Sequence, residues 1–140
     1  VMAESGDLMN RSIRRVAQLK IATKFHFTGF LRGQDVQKMF AYSDVYVMPS
    51  VSEPFGISPL EAMRSGVPTI ISKQSGVAEV LKRAIKVDFW DVDALADAIY
   101  ALLAYPALSE FAAKYGLNEV NTLKWENAAF KLKQIYEELK

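Results

Sequence analysis

The sequence predicts an α/β fold: a parallel sheet flanked by helices, followed by a helical C-terminal extension. Three observations lead there. Short β-rich runs alternate with helical patterns as far as Phe89, the order that builds a parallel sheet with helices on both sides. Those runs are continuously apolar rather than strictly alternating, as expected of strands covered on both faces. After Phe89 the β-rich runs stop and only helical patterns follow.

In chain order, residues 1–3 resemble the end of a strand, and Ser5-Gly6-Asp7 the turn into a first helix over 8–21. Residues 24–28, 44–48, 67–72 and 84–89 read as strands. Helical patterns lie between them at 35–42, 59–64 and 77–82. Asp91 is a predicted N-cap for a helix with Val92, Leu95, Ala96, Ile99, Leu102 and Leu103 on one face. Pro106 suits the first turn of the next helix, which carries Leu108, Phe111, Ala112 and Tyr115. A last amphipathic helix presents Trp125, Ala128, Ala129, Leu132, Ile135, Tyr136 and Leu139. The abrupt opening predicts a fragment that lacks a preceding strand and helix.

Composition narrows the function. The chain has 140 residues, enough for one domain with a core of its own. Its formal net charge is +1, so no global basic field points to nucleic acid. Arg11, Arg14, Arg15 and Lys20 read as a solvated helix face. There is no cysteine and one histidine, His26. Disulfides, thiolate catalysis and Cys-ligated zinc are therefore excluded, a His-based metal site is unsupported, and a reducing cytoplasm is the expected setting. No segment has the length and apolarity of a membrane span, and residues 1–7 lack the layout of a signal peptide.

The chemistry concentrates in residues 50–66, S-V-S-E-P-F-G-I-S-P-L-E-A-M-R-S-G. Glu53 and Glu61 flank a Gly-containing turn that opens a helix. Locally, Ser58-Pro59-Leu60-Glu61 is a capping box, with Ser58 as N-cap, Pro59 at the first helical position and Glu61 reaching back. The position argues for a second use. The helix follows the strand 44–48, and ligands of open α/β sheets bind beyond the carboxyl ends of strands. N–H groups at a helix start favour an anion, and Gly56 lets backbone approach it closely. Three further loops, at residues 5–7, 29–33 and 73–76, are expected at the same edge, and four loops together would form a cleft.

Residues 27–81 resemble the donor-binding C-terminal domain of retaining GT-B glycosyltransferases, the family 4 type. The resemblance rests on F-T-G-F at 27–30, S-D-V-Y-V-M-P-S at 43–50, and E-P-F-G-I-S-P-L-E-A-M at 53–63. G-V-P-T-I-I at 66–71 and G-V-A-E-V-L at 76–81 complete it. The two glutamates match that family's E-x7-E motif. The fold implied is Rossmann-like, the C-terminal half of a GT-B fold. The function implied is binding of a nucleotide diphosphate sugar for hexosyl transfer to an acceptor hydroxyl with retention. Glu53 would meet the donor sugar at its reacting face. Phe55, Gly56 and Ile57 would offer N–H groups to sugar hydroxyls and diphosphate, with Ser58 and Leu60 by the phosphates. Glu61 would accept the ribose hydroxyls, and Phe30, Leu31 and Arg32 would border the base. No metal or other cofactor is expected.

Some positions depart from the family pattern. Ser75-Gly76 stands where many relatives have Gly-Gly, and Asp88-Phe89-Trp90-Asp91 replaces a Pro-Gly turn. Lys73 reads as solvated rather than phosphate-binding. The basic residues that hold the diphosphate earlier in such domains, and the N-terminal acceptor domain, are missing partners. The isolated chain is therefore expected to bind nucleotide weakly and to be inactive. The apolar face of its last helix would be open to self-association. The alternative is a non-catalytic nucleotide- or protein-binding α/β module. The nucleotide, the acceptor and membrane association stay open at this level.

Overall fold

The computed structural model describes residues 1–3 and 6–139, so Ser5 of the predicted 5–7 turn lies outside the described residues. The chain divides into two compact units, Val1–Lys38 and Met39–Lys140.

In the first unit, α1 runs Met9–Gln18, shorter than the predicted 8–21. Its end explains the difference. Lys20 adopts the left-handed conformation at φ 57°. Its N–H donates to Ala17 O at 3.0 Å, and the Ile21 N–H donates to Val16 O at 3.2 Å. This is a Schellman stop, with lysine where glycine is usual. The predicted strand 24–28 contracts to one parallel bridge between Met2 and Phe27. Residues Ala22–Lys24 coil into a 3-10 turn first, and among the described residues Met2 is the ladder partner of this run. Helix α2, Gln34–Ala41, contains the boundary between the units.

The second unit holds the sheet. Strands β1 (Tyr46–Met48), β2 (Thr69–Ser72) and β3 (Ile85–Val87) are ordered β1-β2-β3, and both neighbouring pairs are parallel. Each lies within a predicted apolar run, and β1 and β2 occupy the carboxyl ends of theirs. Helix α3 (Ser58–Arg64) lies between β1 and β2, and α4 (Val77–Val80) between β2 and β3. Then come α5 (Val92–Ala104), α6 (Pro106–Thr122) and α7 (Trp125–Glu138).

Adjacent strand residues point to opposite faces, and both faces are covered. Ile71 packs with Met48, Met63, Val77, Leu81 and Val120 under α3, α4 and α6. Ile70 packs with Val87 and Leu102 beneath α5. Both isoleucines are fully buried, which explains the continuous apolar pattern of that strand. Asp91 caps α5 as predicted, its Oδ1 accepting the Ala94 N–H at 2.9 Å. Glu119 of α6 accepts the N–H groups of Lys82 and Arg83 at 2.7 and 2.9 Å, fixing the turn into β3. Helix α7 has no buried residue.

Candidate functional site

Glu53 and Glu61 stand on two segments that follow the carboxyl end of β1: a loop over 49–57 and the first turn of α3. The loop is fastened from the next strand. Ser72 Oγ, fully buried, donates to Ser50 O at 2.6 Å. The Gly76 N–H donates to Glu53 O at 2.9 Å, and the Val77 N–H to Phe55 O at 3.0 Å. The approach at Gly76 is so close that a Cβ there would lie 1.9 Å from Pro54 O. The Ser75-Gly76 pair that departs from Gly-Gly therefore has a structural duty. Ser75 is also buried, its Oγ donating to Ser72 O at 2.8 Å.

Gly56 turns the loop back at φ +84°, a conformation that disfavours side chains. A Cβ at this position would lie 3.1 Å from Glu53 Cγ and 3.2 Å from Met48 Cε. Met48 is thus the floor of the loop, and the Glu53 side chain stands beside the turn. The N–H groups of Phe55, Gly56, Ile57 and Ser58 meet no acceptor among the described residues. Leu60 differs: its N–H donates to Ile57 O at 2.9 Å, and its side chain packs on the core.

The predicted capping box does not form. Helix α3 starts at Ser58 itself, with Ile57 in the N-cap position and no side-chain cap. Ser58 Oγ instead bonds the Tyr46 hydroxyl at 2.7 Å. Tyr46, half-buried beneath α3, offers a stronger partner than the exposed backbone of the turn. Glu61 is exposed and does not reach back. The ion pairs among the described residues are Lys38–Asp35, Lys73–Asp88 and Lys133–Glu137, and none engages Glu53 or Glu61.

Burial pushes the Tyr46 phenol above its ordinary value. The Ser58 hydrogen bond opposes the rise, while the negative fields of Glu61 and Glu53 add to it.

Of the four loops expected to line one cleft, those at 49–57 and 73–76 meet in the second unit. The 29–33 loop belongs to the first unit, where the Arg32 guanidinium lies 5.1 Å over the Phe30 ring and Phe30 is exposed. The ledge between Glu53 and Glu61 is open: Phe55 is 41% and Ile57 65% exposed. A hollow of about 340 Å3 lies at the opposite end of the strands, beside Asp44, Gly66 and Pro68. Another of about 360 Å3 lies along α7.

Lys73 is held by Asp88 at 2.7 Å, and Gln74 Nε2 donates to the other Asp88 oxygen at 2.9 Å. Those bonds hold the Asp88 carboxyl below the usual carboxylate range. The substituted turn after β3 thus clamps the 73–76 loop. Tyr46, Ser72 and Asp88 were not singled out as parts of the site from sequence. Tyr46 lies in the S-D-V-Y-V-M-P-S run at 43–50, and its period of two with Met48 places both on one strand face. Among the described residues no cluster of three His, Cys, Asp or Glu could hold a metal ion.

Comparison with known proteins agrees with this architecture. The family model Glycosyl transferases group 1 matches residues 1–121. An uncharacterized glycosyltransferase of Methanocaldococcus jannaschii is 31% identical over 141 residues, covering 97% of this chain and 36% of the relative. The sucrose-phosphate synthase structure from Thermosynechococcus elongatus superposes with TM-score 0.79 at 31% identity, over 93% of this chain and 34% of that one. Anabaena Alr3699/HepE, solved in complex with UDP-glucose, shares the fold with TM-score 0.77 at 21% identity, over 83% of this chain and 32% of that one. The chain spans about a third of the length of these proteins. With a parallel sheet covered on both faces and a family match over most of its length, the chain belongs to the Glycosyl transferases group 1 family, which has the GT-B fold.

Proposed function

We propose that this chain is the donor-binding part of a retaining, family 4 type glycosyltransferase, which moves a hexosyl group from a nucleotide diphosphate sugar to an acceptor hydroxyl. The observation that carries the reading is the pair of carboxylates, Glu53 and Glu61. They flank a run of unpaired N–H groups at 55–58, and no cation among the described residues neutralises either acid. An acceptor-only carboxylate suits a vicinal diol. In this proposal Glu61 accepts the ribose hydroxyls and Glu53 holds the donor sugar at its reacting face. The amides of Phe55, Gly56, Ile57 and Ser58 donate to sugar and diphosphate oxygens and disperse charge as the diphosphate departs. Leu60, whose side chain packs on the core, lies by the phosphates at the helix start. The UDP-glucose held by the Anabaena neighbour is in keeping with this ligand class.

The proposal assigns acceptor recognition to a separate N-terminal domain of a longer protein, sets the reaction in the cytoplasm, and calls on no metal. The isolated 140-residue chain then binds nucleotide weakly and transfers sugar negligibly. Calorimetric titration with UDP, GDP and ADP is the test. One of the three should bind, and Glu61→Ala should weaken it about tenfold, as expected for losing hydrogen bonds to a charged group. Binding unchanged in Glu61→Ala, or robust sugar transfer by the isolated chain, would overturn the reading.

A further inference from the structure

The hydroxyl pair beneath α3 is not used by the chemistry proposed above. Ser58 and Glu61 are three residues apart on one helix and therefore share a face. The Ser58 hydroxyl is drawn away from capping and onto Tyr46, at 2.7 Å. Tyr46 and Met48 alternate onto the same face of β1. Met48 Sδ lies 3.9 Å from Ser58 Oγ, and its Cε meets the Gly56 turn beside Glu53. One short strand therefore supports both acids. It reaches the loop bearing Glu53 through Met48, and the turn bearing Glu61 through Tyr46 and Ser58.

We propose that Tyr46 and Ser58 are positioning residues: their mutual hydrogen bond sets the first turn of α3 on β1 and so holds Glu61 in register with Glu53 for the nucleoside diphosphate. The inference rests on the donor-site reading of Glu61. Two hydroxyls carry two protons, and their mutual bond uses one. The second has only weak internal use, at the Met48 thioether. The negative fields of Glu61 and Glu53 favour the neutral phenol over a phenolate. The Tyr46 hydroxyl bonds Ser58 and feels the negative fields of Glu61 and Glu53, while Phe40 packs edge-on against its ring. A phenolate there would add negative charge where a diphosphate must approach.

The test is calorimetric titration of the purified chain with whichever of UDP, GDP and ADP binds wild type most tightly, beside thermal melts. Tyr46→Phe and Ser58→Ala should each weaken binding roughly five- to tenfold. The double variant should be no weaker than the worse single, because the two act as one unit. Ser58→Thr keeps the oxygen and should restore binding. Wild-type affinity should fall as pH rises above the ordinary tyrosine range, and Tyr46→Phe should lack that fall. A merely structural role would lower melting temperatures but leave the pH profile of affinity unmoved at temperatures where both proteins stay fully folded, and would overturn the proposal. So would wild-type affinity in Tyr46→Phe and Ser58→Ala alongside lost affinity in Glu61→Ala, which leaves the donor-site reading standing. Wild-type affinity in Glu61→Ala, or binding of none of the three nucleotides, overturns both.

Discussion

A methyl group at Gly76 would lie 1.9 Å from the Pro54 carbonyl oxygen, so Gly76→Ala must displace the loop that carries Glu53. We expect a loss of about 3 kcal/mol in urea unfolding. Ser72→Ala removes a buried donor and leaves the Ser50 carbonyl unsatisfied, at a cost of about 1–3 kcal/mol in the same experiment. Tyr46 adds a pH dependence. Its pKa is raised in the folded chain, so its contribution is complete below the ordinary tyrosine value and is lost as pH climbs through the folded one. Stability should fall more steeply in alkali for wild type than for Tyr46→Phe. At this scale the two glutamates were legible because carboxylates in a Pro-Phe-Gly context are conspicuous. Tyr46, Ser72 and Asp88 were not, because each acts across distant chain positions, 12 to 22 residues away, that only the folded sheet brings together.

Local chemistry predicts an element well where it is uncontested. Asp91 has no better partner than its own helix and caps it. Asp91→Ala should destabilise the second unit by about 1 kcal/mol in thermal or denaturant unfolding. Ser58 has a better partner in Tyr46, and there the capping prediction fails. The strand predicted at 24–28 shortens, among the described residues, to a single bridge, because a 3-10 turn takes up its start. The clamp of Asp88 on Lys73 and Gln74 is the element-scale feature with a pH signature. Its pKa is lowered, so the contribution is present above the ordinary carboxylate value and disappears as pH drops through the folded one. Asp88→Asn should speed amide exchange in the 73–76 loop at neutral pH and abolish any further acceleration in acid. Equal exchange in both proteins would refute the clamp.

At the scale of the whole molecule, a parallel sheet with helices on both faces was legible because buried strands write continuous apolar runs. The same reading supplied α5, α6 and α7, whose periodic apolar stripes are long. Helix α7 stands apart, with Trp125 89% and Ile135 54% exposed. Truncation after Thr122 should shift urea unfolding of the second unit by less than about 0.5 kcal/mol. Sedimentation of the full chain should show concentration-dependent association that truncation removes. The central claim is that Glu53 and Glu61 serve one ligand in different places. The direct measurement is the ratio of affinities for a nucleoside diphosphate sugar and its parent nucleoside diphosphate, by calorimetry. Glu61→Ala should weaken both ligands equally and leave the ratio at its wild-type value. Glu53→Ala should leave the parent nucleotide untouched and bring the ratio to one. Equal effects of both substitutions on both ligands, or none, would contradict the account.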